Sequence, residues 1–455
     1  MLIGRCRSLL RVLASLEWVV VGAAVPLLTF PTVRPRWSAA ALALLAALWL
    51  FRWMVRGEPW PVSPLNAALL PFLLVIPFAI LVSAFPEVTG PAAVRLVLGL
   101  AAFRAAAFFV RNERTLDVAL VAFCLLGLGL AVVGVLAVQW PRKSTVLGEI
   151  TGRIPRLIET FPEDQGTRGV NPNHLAGAIL LYLPLGMGLM VRAWRRSPAL
   201  VRFLMVPAAA VFTLVIGLVL VLTQSRSGWI GAGGGLLALV ILAGVTARRL
   251  WARAVGVGLA VVVVVTLLTA VATIGLQEIG EMVTDPGAEL GFEDAVGSIT
   301  LAGRIELWSR AVYAAEDFAF AGCGLSAFSR VVQILYPLFH HGPGTDVGHA
   351  HNVFLQMAVD VGIPGLIGYL ALVGVALALC WRCARQRRNG GSGAGTIRPV
   401  ALGLAAGLIA WHVYGLTDAV ALGTKPGVVL WIALGLVAAL DLREEWLTDG
   451  ATTRR

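Results

Sequence analysis

The sequence predicts an all-α protein that crosses a membrane many times, and three observations carry that prediction. The 455-residue chain is 58% hydrophobic and only 13% charged, with a mean hydropathy of +0.85, more apolar surface than one soluble core can hide. Its apolar residues fall in runs of about 20, the length that spans a bilayer as a helix. Most arginines sit in the short polar stretches between those runs, so the net charge of +11 reads as a code for orientation and not as a nucleic-acid footprint.

In lipid the backbone must satisfy its own hydrogen bonds, so each run is read as a helix. About twelve are expected, near 13–30, 37–55, 65–84, 92–110, 118–138, 172–191, 203–222, 229–246, 255–275, 353–381, 399–417 and 425–441. The first follows Arg5, Arg7 and Arg11 like a secretory leader, but no small-x-small cleavage site precedes the next run, so it is read as a retained helix. With the N-terminus in the cytoplasm, Arg52 and Arg56, Arg111 and Arg114, Arg192 to Arg202, Arg248 to Arg253 and Arg382 to Arg388 all fall inside. Arg95 and Arg104, at opposite ends of the fourth run, read as side chains snorkelling to the two surfaces. The whole of 1–455 is expected to form a single membrane domain with one large extracytoplasmic loop, 276–351, and a flexible cytoplasmic linker, 382–398, that contains "RNGGSGAGT".

In the large loop, "RIELWSRAVYAAED" places Ile305, Trp308, Val312 and Ala315 at helical spacing with Glu306, Arg310 and Asp317 between them, which predicts an amphipathic helix. Cysteine carries little: Cys6, Cys124 and Cys323 are scattered, and Cys380 and Cys383 form a lone CxxC without a second pair to make a metal site.

The same orientation gathers the polar motifs on the outer face. "GTRGVNPNHLAG" brings Arg168 and His174, "TQSRSGW" brings Arg226, "GRIELW" brings Arg304 and Trp308, and "GHAHN" brings His349, His351 and Asn352. Arg226 lies in a very short connection between two apolar helices, where an unpaired cation is costly. Ser227 beside it can cap the next helix, whose N-terminus favours an anion. Together they resemble half of a phosphate clamp. Four of the six histidines fall between His340 and His351. With Asp346 they could bind zinc, yet the spacing matches no strong metal signature and no metal is expected. His351, immediately before a helix, can instead be a general base, because the positive helix end favours a neutral ring able to accept a proton. A transporter with twelve spans is the rival from another class, but it would place its polar residues near mid-membrane and show two related halves. A zinc membrane hydrolase is the other rival, on weak ligand spacing.

His351-Asn352, nine residues, Gly362, two residues and Gly365 resemble the signature of the O-antigen ligase family of bacterial membrane glycosyltransferases. "NPNHLAG", "SRSGW", "GRIELW" and "AGCGLSAF" resemble further blocks of that family, in order, over roughly 166–365. The resemblance implies an all-helical membrane fold of the GT-C type in the bacterial inner membrane, with the site on the periplasmic side. It implies an inverting reaction with no cofactor, in which a glycan passes from undecaprenyl pyrophosphate to a hydroxyl of an acceptor such as lipid A-core or another glycan. The enzyme would be a ligase or, with the same donor chemistry, a polysaccharide polymerase; a protein O-oligosaccharyltransferase would also share it. Membrane lipids are implied as surroundings and nucleic acid is not. On this resemblance His351 matches the essential histidine, Arg226 and Arg304 match the arginines that engage the donor's pyrophosphate, and Arg168 and His174 lie in a matching block. Asn352, His349 and Trp308 would support them.

Overall fold

The computed structural model describes residues 17–138, 140, 145–159, 170–195, 199–274, 301–339, 347–385 and 394–452. Among them the chain is almost wholly helical, with one isolated β-bridge, Val138 to Val170. The helices in chain order are α1 Glu17–Thr29, α2 Pro35–Arg56, α3 Asn66–Leu81, α4 Pro86–Phe109, α5 Glu113–Ala137, α6 Thr145–Gly152, α7 Pro172–Leu180, α8 Tyr182–Trp194, α9 Ala199–Leu222, α10 Arg226–Val245, α11 Leu250–Ile274, α12 Leu301–Asp317, α13 Phe328–Leu335, α14 Val353–Arg385, α15 Ala394–Tyr414 and α16 Val428–Thr452. A helix stands at each of the twelve expected spans. Eight spans, one of them α7 and α8 in sequence, are long and apolar enough to cross a membrane, and α1, α3 and the start of α11 are shorter apolar helices. The chain is therefore a multi-pass membrane protein.

Helix α15 is the hub of the second half, packed by α8, α10 and α14. Close approach is bought by small residues: a Cβ on Gly235 would lie 2.5 Å from Cβ of Ala410, and one on Gly231 would lie 2.9 Å from its carbonyl oxygen. Lipid gives helices no hydrophobic reason to associate, so such van der Waals seams hold them. A second seam sets α16 on α4, where Gly99 receives the indole of Trp431.

The two ends of the bundle differ. At one end arginines are tied to acids between helices: Arg192 to Asp117 at 2.9 Å, Arg382 to Asp441, and both Arg52 and Arg104 to Glu17. The snorkelling read for Arg104 is corrected here. Its side chain is fully buried, donates to Glu17 and to the carbonyl of Pro59, and lies over the rings of Trp49 and Phe108. A carboxylate from α1 makes burial cheaper than reaching for water.

At the other end, α12, α13 and the first turns of α14 form a small second core around Ala311, Ala314, Phe328, Val332 and Val359. The buried face of α12 is Ile305, Glu306, Leu307, Ala311, Ala314 and Ala315, while Trp308 and Val312 are only half-buried. Glu306 is buried because its carboxylate accepts from the backbone N–H of Phe339 at 2.5 Å. Helix α14 breaks at Gly362, with φ 74° and ψ 176°. There the chain touches the turn after α12: Ile363 N–H donates to Ala319 (2.7 Å) and Cys323 N–H to Val359 (2.8 Å). A Cβ on Gly362 would stand 2.5 Å from the carbonyl oxygen of Phe320. That backbone region is open essentially to glycine alone, and other residues cost about 1–3 kcal/mol in it. Gly362→Ala is expected to lose at least that much, read as thermal unfolding in detergent, whereas Gly374→Ala, with open space around it, should leave stability unchanged.

Candidate functional site

Five segments meet at the end of the bundle that carries the second core, and each is shaped locally. Asn171 caps α7 by accepting from Asn173 N–H at 2.8 Å. The carbonyl of Asn173 in turn accepts the Tyr414 hydroxyl at 2.9 Å, which fixes the turn that presents His174. Ser225 caps α10 by accepting from Gly228 N–H at 3.1 Å. The cap expected at Ser227 is thus two residues earlier, and Ser227 is released for another task. Its hydroxyl accepts from Arg304 Nη1 at 3.3 Å and from the Thr417 hydroxyl at 2.9 Å. Asn352 caps α14: Oδ1 accepts from the N–H groups of Phe354 and Leu355, and Nδ2 donates to the Leu416 carbonyl at 3.0 Å.

His351 sits just before that cap with φ 48°, left-handed backbone that a residue with a side chain rarely adopts. Two hydrogen bonds hold it there. The Trp308 indole donates to its carbonyl at 3.1 Å, and its own N–H donates to His349 Nδ1, also at 3.1 Å. Strain maintained by surrounding bonds is a mark of a functional position.

The hydrogen bonds assign the imidazole tautomers. His349 Nδ1 accepts, so its proton is on Nε2, which stands 2.8 Å from His174 Nε2 and 3.6 Å from Asp418 Oδ1. Asp418, in the turn after α15, is fully buried. Its Oδ1 accepts from Ala419 N–H at 2.8 Å and lies 3.3 Å from His351 Nδ1, while Oδ2 is 3.8 Å from Arg304 Nη2. A buried carboxylate facing Nδ1 favours the proton on that nitrogen, which leaves Nε2 of His351 as the acceptor.

Burial lowers the pKa of His349 well below the ordinary imidazole value, and the neighbouring His351, His174 and Arg304 lower it further against the pull of Asp418. Burial works the other way on Asp418, but the close approach of His351, with His349 and His174 beside it, outweighs it and holds the carboxyl below its usual range. Among the described residues, His349, His351 and Asp418 offer ligand atoms within 4.8 Å of one another, so a cation could sit at this trio.

The structure brings together His174, His349, His351, Asn352, Arg304 and Trp308. Arg226 opens α10 on its exposed side, next to Ser227. Arg168, His340, His341 and Asp346 lie outside the described residues. Asp418 was missed: a single acid in the short connection "GLTDAV" has no neighbour at catalytic spacing to draw attention to it.

Residues 209–370 match the family model described as O-antigen ligase. The matched stretch is similar to an O-antigen ligase domain. It spans Arg226, Arg304, Trp308, His349, His351, Asn352, Gly362 and Gly365, whereas His174 and Asp418 are supplied from outside it. No curated protein matches the chain. The match lies within a chain of many apolar helices, as a membrane-embedded member of such a family would have.

The shifted histidine gives a pH dependence whose sign is fixed. His349 has a folded pKa below its unfolded one, so its contribution to stability is full above the unfolded value of about 6.5 and is lost as pH falls through the folded value. Asp418 is also depressed and adds a loss only below the ordinary carboxylate range. Thermal midpoints are expected to fall between pH 7.5 and pH 5, and His349→Gln should flatten that part of the profile.

Proposed function

We propose that the O-antigen ligase domain transfers a glycan from undecaprenyl pyrophosphate to an acceptor hydroxyl at the outer face of the inner membrane, with inversion and without a metal. The observation that carries this reading is the contact of His351 Nδ1 with the buried carboxylate of Asp418. It leaves Nε2 as a proton acceptor beside a cationic group, Arg304, at an end of the helical bundle. A lipid-linked donor keeps its chain in the bilayer and its pyrophosphate at the surface, so the reacting carbon is delivered to such an end.

In the proposed reaction His351 Nε2 takes the proton of the acceptor hydroxyl as the oxygen attacks the anomeric carbon. The bond from that carbon to the pyrophosphate oxygen breaks, its electron pair leaves on undecaprenyl pyrophosphate, and the new glycosidic bond forms on the opposite face. Asp418 stabilises the imidazolium that results, in the way a buried carboxylate supports a catalytic histidine elsewhere. Arg304 and Arg226, with Arg168, stabilise the departing diphosphate, a role that suits planar guanidinium forks. His174 and His349 hold the ring stack, and Asn352 and Trp308 hold the backbone of His351. With lipid A-core as acceptor the enzyme is a ligase; with a second lipid-linked glycan it is a polymerase using the same donor chemistry.

The trio of His349, His351 and Asp418 favours one other reading, a metal-dependent hydrolase. Chelation separates the two. Transfer is expected to survive a strong chelator unchanged, and loss of activity that added zinc restores would establish the metal reading instead.

Base and clamp are separable by substitution. His351→Ala is expected to reduce turnover by roughly 10²–10⁴-fold while donor binding stays near wild type. Arg304→Ala should weaken donor binding by about 10-fold or more as well as slowing transfer, and Arg304→Lys should recover little of it. Binding of labelled donor and single-turnover rates, measured in parallel, check both.

A further inference from the structure

Behind the histidine loop lies a buried polar chain that the proposed reaction does not use. Ala350, between His349 and His351, donates its N–H to Gln356 Oε1 at 2.8 Å. The amide of Gln356 donates from Nε2 to Asp360 Oδ1 at 2.8 Å, and that oxygen also accepts from Ser326 N–H at 3.0 Å. Gln356 and Asp360 are each 1% exposed and Ala350 is 0% exposed. Residues four apart face the same side of a helix, so both side chains stand one above the other on α14 and point at the loop.

The order of the groups sets the direction. An amide can present either its oxygen or its NH₂ to a neighbour, and the two faces are nearly equal in shape. Asp360 Oδ1 already accepts from Ser326 N–H, so it draws the NH₂ of Gln356 and turns the amide oxygen to Ala350. Without it, the amide is free to flip and set NH₂ against N–H. Ala350 immediately precedes His351, whose φ of 48° needs support, and Ser326, at the far end of the chain of bonds, has φ 60°. The relay thus joins two strained turns, one at the histidines and one in the small core around α12 and α13.

We infer that Gln356 and Asp360 are positioning residues that set the backbone of the His349–His351 turn, and through it the aim of the His351 ring. The link to turnover rests on the transfer reading above; the link to the turn does not. Positioning errors near 1 Å cost about 10²-fold in rate, so the relay is expected to act on turnover and not on donor affinity.

The test inverts the relay. Gln356→Met keeps the volume but gives Ala350 no acceptor. Exchanging the groups, in Q356E with D360N, restores every partner with the polarity reversed: Glu accepts from Ala350 and from the Asn amide, and the Asn oxygen accepts from Ser326. Q356M is expected to lower turnover by about 10²-fold with donor binding unchanged, and the exchanged double variant to return to within about 5-fold of wild type. Modification of His349 and His351 by diethyl pyrocarbonate, followed by peptide mass spectrometry, needs no substrate. It should be at least about 10-fold faster in Q356M and slow again in the double variant. Protection that follows this pattern supports the inference even if no transfer is found, which would count against the transfer reading alone. Wild-type protection in Q356M, or a double variant no better protected than Q356M, would overturn it.

Discussion

Asp418 is the constraint around which the site is arranged. A carboxylate taken out of water at the end of an apolar bundle is costly unless charge and hydrogen bonds are brought to it. Here distant parts of the chain supply Arg304 from α12 and His349 and His351 from the turn before α14, and the adjoining Ala419 adds its backbone N–H. Satisfying one buried charge therefore assembles the groups that the proposed chemistry needs. The anion also selects which nitrogen of His351 carries a proton, and that choice decides whether the ring can act as a base.

The same economy explains the motif around His351. Asn352 caps a helix and ties it to Leu416 next to Asp418. Gly362 lets α14 break where the turn after α12 touches it, and Gly365 lies where a Cβ would stand 2.3 Å from Val361 Cγ2. The ring of His351 faces Asp418 Oδ1, and so does that of His349 just before the motif. The motif is thus largely a way of docking the small second core on the bundle so that two histidines meet an acid from another connection.

Much of this was legible in the sequence, for physical reasons that can be named. Spans are visible because lipid demands about 20 apolar residues at a stretch, and the polar residues of the site are visible because they interrupt or border those stretches. Asp418 was not, since an acid that pairs across 67 residues with His351 leaves no local pattern. Arg104 misled for a similar reason: its partner Glu17 lies 87 residues away. Ser227 was placed on a helix terminus correctly but given the wrong task, because capping by Ser225 or by Ser227 looks the same until the turn geometry is known. Gln356 reads as an ordinary polar residue near the start of an apolar run, and its order with Asp360 on one helix face acquires meaning only once Ala350 is beside them.

The most direct test of the central claim is reconstitution of the protein in vesicles with purified undecaprenyl-pyrophosphate glycan and candidate acceptors, following both products. The account predicts that glycan appears on the acceptor hydroxyl with inverted anomeric configuration, one undecaprenyl pyrophosphate is released per transfer, and Asp418→Asn slows this by orders of magnitude without preventing donor binding. Transfer that proceeds at the wild-type rate in Asp418→Asn, or donor that is only hydrolysed whatever acceptor is present, would contradict it.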